Sequence, residues 1–127
     1  MTRRLLMAAT AVALAAVACG GGSGTSATPT PAPTPQTATF NETEFKIDPS
    51  ITTFKAGDYT FTVQNQGKFP HDLHVATPDG SEVAKTDVLQ AGQSGSVKVT
   101  LKSGTYTLWC AVDGHRARGM ETKITVS

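Results

Sequence analysis

An all-β fold, a Greek-key β-sandwich of about seven short strands, is what the last 88 of the 127 residues predict. Two observations carry this reading. Apolar residues recur at every second position over several short runs, the signature of half-buried strands. Turn-forming residues interrupt those runs at short intervals, and strands with one apolar face need a second sheet to cover it.

The elements follow in order along the chain. Tyr59, Phe61 and Val63 share one parity against Thr60 and Thr62, and Val97, Val99 and Leu101 alternate with Lys98 and Thr100. Tyr106, Leu108 and Cys110 alternate with Thr105, Thr107 and Trp109, and Ile124 and Val126 with Lys123 and Thr125. Asp48-Pro49, Ala56-Gly57-Asp58, Asn65-Gln66-Gly67, Pro78-Asp79-Gly80, Ala91-Gly92 and Ser103-Gly104 mark the turns. Glu82 to Leu89 has no clean period and is expected to be a loop or a short helical turn.

The first 39 residues have a different character. Residues 1–19 open with Arg3 and Arg4, continue through the apolar stretch Leu5–Ala18 and end at Cys19, the order of a signal peptide. The apolar run of 14 residues falls short of the roughly 18–20 that a helix needs to span a bilayer. Small residues before Cys19 and Gly20-Gly21-Gly22 after it resemble the bacterial lipoprotein signal, which implies a lipidated Cys19 as the mature N-terminus. Ala16 stands where that pattern usually has Leu. Residues 20–39 are almost wholly Gly, Ser, Thr, Ala and Pro. Such a stretch buries too little apolar surface to offset the entropy of ordering and reads as a disordered tether. Its reach is several tens of Å, at about 3.1 Å per extended residue. Residues 40–127 form the folded domain.

Composition excludes whole classes of function. Eleven Lys and Arg against ten Asp and Glu leave no basic excess, so nucleic acid is not an expected partner. Two cysteines, Cys19 and Cys110, cannot build a disulfide scaffold or a four-cysteine zinc site.

The chemistry concentrates in the last third, where Cys110, His115 and Met120 are spaced C-x4-H-x4-M around a short Gly-containing loop. A thiolate, an imidazole and a thioether offered by one loop suit copper. A second imidazole would complete the two-His, one-Cys, weak-axial-Met set of an electron-transfer site. Upstream, Asn65-Gln66-Gly67-Lys68-Phe69-Pro70-His71-Asp72-Leu73-His74 offers two candidates, His71 and His74. Parity places His71 with Leu73 and Val75, and His74 with Asp72 on the other face.

These paired segments resemble the cupredoxins, the small blue copper proteins that include plastocyanin, amicyanin and auracyanin, over essentially all of residues 40–127. The loop spacing is most similar to that of auracyanin. The resemblance implies His71, Cys110 and His115 as equatorial copper ligands, with Met120 as the long axial ligand. It leaves His74 as a solvent-facing strand residue. It also implies that Asp72 orders the site by bonding backbone near Cys110, and that one edge of His115 lies near the surface as the electron route. Arg116 and Arg118 beside that edge read equally as steering groups for an acidic redox partner or as solvated loop charges. Trp109 reads as an aromatic cover on the sheet or as a second electron route. Asp113 departs from the Pro that many relatives carry before Gly-His.

The expected function is therefore that of a monomeric, lipid-tethered, extracytoplasmic carrier of one electron. No catalysis is expected, because four internal ligands leave no open coordination position. The alternatives are a copper chaperone or store without electron transfer, and a copper-free adhesive sandwich.

Overall fold

The computed structural model describes residues 30–127, so the signal, the lipidation at Cys19 and most of the tether lie outside the described residues. Residues 30–35 are exposed and carry no regular structure. Eight strands follow: β1 Gln36–Thr43, β2 Lys46–Pro49, β3 Gly57–Asn65, β4 His74–Ala76, β5 Glu82–Lys85, β6 Ser94–Leu101, β7 Gly104–Trp109 and β8 Glu121–Val126. Two single 3₁₀ turns, Val112–Gly114 and Arg116–Arg118, lie between β7 and β8.

The strands form two four-stranded sheets, ordered β2-β1-β3-β6 and β5-β4-β7-β8. β1 and β3 run parallel with Phe40 opposite Val63, and every other paired neighbour is antiparallel. The period-two pattern works as expected: Tyr59, Phe61, Val63, Tyr106, Leu108, Ile124 and Val126 all face the interior. Phe40 and Phe61 pack at 4.7 Å between ring centroids, with Phe54 and Tyr59 beside them at 5.8 Å from each other. Burial of each such side chain stabilises the sandwich by about 1.5–3 kcal/mol.

Three local expectations are corrected. The first strand begins at Gln36, four residues ahead of the expected boundary, because Ala38 and Phe40 bury themselves while residues 36–42 pair with β3. Asp48-Pro49 is not a turn but the end of β2, an edge position where a missing N–H costs no ladder bond. The turn of that hairpin falls at Glu44-Phe45, with Phe45 in the left-handed region at φ 64°. Residues Glu82–Lys85 are a strand and not a loop or helical turn. They lie on a sheet edge with only Ala84 half-buried, so no apolar parity is imposed on them.

This topology brings the C-terminal ends of β1, β3 and β7 and the starts of β4 and β8 to one end of the sandwich. The Cys110–Met120 loop spans that end. Phe45, from the β1–β2 turn, meets it there, edge-on to His115 at 5.3 Å.

Candidate metal centre

His71 precedes β4 and is fixed by two backbone bonds to Leu89, N–H to carbonyl at 3.0 Å and the reverse at 2.7 Å. Its side chain points inward with Leu73 and Val75, and none of it is exposed. Cys110 follows β7, where the strand's inward parity carries the thiol into the interior. Its backbone N–H donates to the Met120 carbonyl at 3.1 Å, and the Met120 N–H donates to the His115 carbonyl at 3.1 Å. The loop thus closes on itself and holds Met120 fully buried beside the other two.

The result is a triangle of donor atoms. His71 Nδ1 and His115 Nδ1 are 3.2 Å apart, and Cys110 Sγ is 3.9 Å from the first and 3.6 Å from the second. A point equidistant from three atoms so placed lies about 2.1 Å from each, the length of a metal–imidazole bond and slightly under that of a metal–thiolate bond. The residues therefore fit a metal ion without rearrangement. The donor set of two imidazoles, one thiol and a nearby buried thioether is that of copper rather than of a hard cation.

Burial sets the protonation of these groups. Loss of water pushes the Cys110 thiol up to about 11, so the free site holds a protonated thiol whose proton a metal must displace. Burial, reinforced by the neighbouring His115, lowers His71 and keeps its imidazole neutral and able to bind metal at pH 7.

Asp72 ties the two halves of the site together. Its Oδ1 accepts the Ala111 N–H at 2.7 Å, and its Oδ2 lies 3.2 Å from His74 Nε2. His74 is not solvent-facing. It bridges Asp72 and Glu82, at 2.6 Å from the latter, and stacks on Trp109 at 5.3 Å. Arg116 covers Trp109 at 4.4 Å and also bonds Glu121 at 2.6 Å, whereas Arg118 lies 5.0 Å over Phe45. Arg116 is thus ion-paired while still half exposed, and Trp109, itself half-buried, contacts both His74 and Arg116.

Sequence reasoning passed over three neighbours of the site. Asn65, 2% exposed, donates to the carbonyls of Phe69 at 2.8 Å and Leu89 at 2.9 Å and so shapes the segment leading to His71. Its place in an Asn-x-Gly turn was the available signal. Glu42 faces inward from β1, and among the described residues neither of its carboxyl oxygens has a partner. Burial and then the charge of Asp72 raise it to about 8. Glu44 accepts the backbone N–H groups of Lys68 and, at 3.2 Å, Phe69. No local pattern marks either carboxylate. At Asp113 the backbone is left-handed (φ 35°, ψ 46°), a conformation closed to proline.

Comparison with known proteins gives the same picture. No curated protein sequence matches the chain significantly. Among solved structures, an auracyanin from the photosynthetic bacterium Roseiflexus castenholzii superposes with a TM-score of 0.60 at 20% identity, covering 72% of this chain and 97% of its own. Auracyanin A from Chloroflexus aurantiacus gives 0.63 at 18% identity, with 74% and 100% covered. An azurin from the methylotroph Methylomonas sp. strain J gives 0.58 at 16% identity, with 72% and 98% covered. These similarities show the shared fold. A family model described as copper binding proteins of the plastocyanin/azurin family matches residues 35–127. With that match, the sandwich and the preassembled sulfur–imidazole triangle, the chain belongs to the plastocyanin/azurin family of copper-binding proteins.

Proposed function

We propose that the domain is a carrier of one electron between redox proteins outside the cytoplasm, tethered to a membrane through a lipidated Cys19. The observation that carries the reading is the buried donor triangle, whose three atoms all lie about 2.1 Å from one common point. Copper supplies the one-electron couple. The protein's part is to hold Nδ1 of His71, Nδ1 of His115 and Sγ of Cys110 in one arrangement for both oxidation states, with Met120 behind them, so that little reorganisation opposes transfer.

Each residue has a definable task. Cys110 gives up its thiol proton on loading, and both imidazoles bind neutral, so affinity falls in acid. His71, fully buried and bridged to Leu89, excludes water. His115, 6% exposed against none for His71, is the ligand nearest solvent and the natural point of electron entry and exit. Arg118 is the cation left to meet an acidic partner, since Arg116 already bonds Glu121. Preassembly favours this reading over a chaperone or store, which must release its copper, and a site enclosed by its own ligands gives no place for substrate. Retention of the domain in the membrane fraction, and its loss in Cys19→Ser, checks the tether.

Copper titration decides the central point. Added Cu(II) is expected to give an intense blue colour and a reversible one-electron voltammetric wave. Cys110→Ala should abolish both. A colourless wild-type complex, or a Cys110→Ala protein that stays blue, overturns the proposal.

A further inference from the structure

One buried polar atom of the metal centre stands without a partner among the described residues: His71 Nε2. The ring turns Nδ1 toward Cys110 Sγ and His115 Nδ1. An imidazole that gives Nδ1 to a metal carries its proton on Nε2, and the group that accepts this N–H fixes the ring and raises its basicity. A buried donor left unpaired is destabilising, because it has given up its bond to water without replacement.

The acceptor within reach is Glu44. Its carboxylate is pinned over the 66–69 segment by the backbone N–H groups of Lys68 and Phe69, which also hold it below the usual carboxylate range, Lys68 foremost. A Cβ placed on Gly67 would lie 2.7 Å from Glu44 Oε1 and 2.9 Å from His71 Nε2. The two groups therefore flank one bare Cα and are at most 5.6 Å apart, a gap closed by a small side-chain movement or by one bridging water. The other carboxylate that His71 feels is already engaged, since Asp72 bonds Ala111 and His74.

We propose that Glu44 is the positioning residue of ligand His71, accepting the Nε2–H bond directly or through one water, and that Gly67 is required because any side chain there would part them. The inference rests on copper occupying the donor triangle. Glu44 then strengthens His71 as a donor to the more charged Cu(II) and lowers the reduction potential.

Glu44→Gln in the full chain tests this, because the amide oxygen still accepts from Lys68 and Phe69 while the charge is gone. The variant is expected to remain blue and to lose about 10–100-fold in Cu(II) affinity. If Cu(I) affinity is held, the potential rises by about 59 mV for each tenfold. Exchange of the His71 Nε2 proton, followed by NMR in the metal-free protein, should quicken. Gly67→Ala should move potential and exchange the same way with Glu44 intact. Unchanged Cu(II) affinity and exchange in Glu44→Gln overturn the proposal, as does an effect seen in Glu44→Ala alone, which would reduce Glu44 to a loop cap. Failure of the wild type to turn blue instead overturns the copper reading on which the inference rests.

Discussion

His71 and His115 meet at one point, 3.2 Å apart at Nδ1, from backbones of opposite kind. His71 is held as a strand residue is held, with N–H and carbonyl both bonded to Leu89, itself 18 positions away in the chain, and with Asn65 bracing the carbonyls of Phe69 and Leu89. His115 belongs to a loop that bonds to itself: its N–H donates to Val112 at 2.8 Å, and its carbonyl accepts from Arg118 at 3.0 Å and Met120 at 3.1 Å. Asp113 and Gly119 in that loop are left-handed, at φ 35° and 103°. One wall of the site is thus part of the sandwich and the other is a cap folded onto it. Asp72 is a direct side-chain link between them, through Ala111. On the proposed function, the first wall supplies fixed geometry and water exclusion, and the second supplies electron access.

The largest expected effect lies behind the fixed wall. Glu42 is raised from 4.5 to about 8. The folded chain therefore keeps a proton that the unfolded chain releases above pH 4.5. Stability must fall as pH rises from about 4.5 to about 8 and level off beyond, by on the order of 4–5 kcal/mol for this group. In Glu42→Gln that component of the slope should vanish, leaving a variant more stable than wild type at pH 9. Urea unfolding at a series of pH values measures it, and an unchanged slope would remove Glu42 from the account.

A middle-sized effect is expected at the brace. Asn65→Ala deletes the bonds to Phe69 and Leu89 and the one its Oδ1 accepts from Gly67 at 2.9 Å, all in a buried position. A loss of about 2–4 kcal/mol and faster copper release should follow, visible in denaturant midpoints and in transfer of copper to a chelator. If the two walls matter equally for rigidity, a change in the cap would cost as much.

The smallest effect is expected in the cap. Asp113→Gly relieves a left-handed side chain while adding freedom to the unfolded chain, and the net change should stay under about 1 kcal/mol. Copper affinity should hardly move. A loss as large as that of Asn65→Ala, read by the same titration, would show that the cap is as structurally committed as the sheet wall.

What could be read in advance followed from locality. Inward parity of Tyr59, Phe61, Val63, Tyr106, Leu108 and Cys110 is a property of successive residues in one strand, and it survives whichever strands become neighbours. The grouping of Cys110, His115 and Met120 was legible for the same reason, because one loop carries all three. β5 was not legible, since an exposed edge strand has no face to bury. The β1–β2 hairpin escaped notice because its turn uses Phe45 at positive φ where Gly or Asn is the usual sign.

By itself the sequence determined the ligand types, their order and the strand alternation, all encoded over a few neighbouring positions. Tertiary structure alone decided that Asp72 reaches Ala111 across 39 positions, that Glu44 is set beside Lys68 across 24, and that Glu42 is enclosed without a partner among the described residues. The physical reason is that sheet order and register fix which distant side chains share a volume, and no period in a single strand specifies its neighbour.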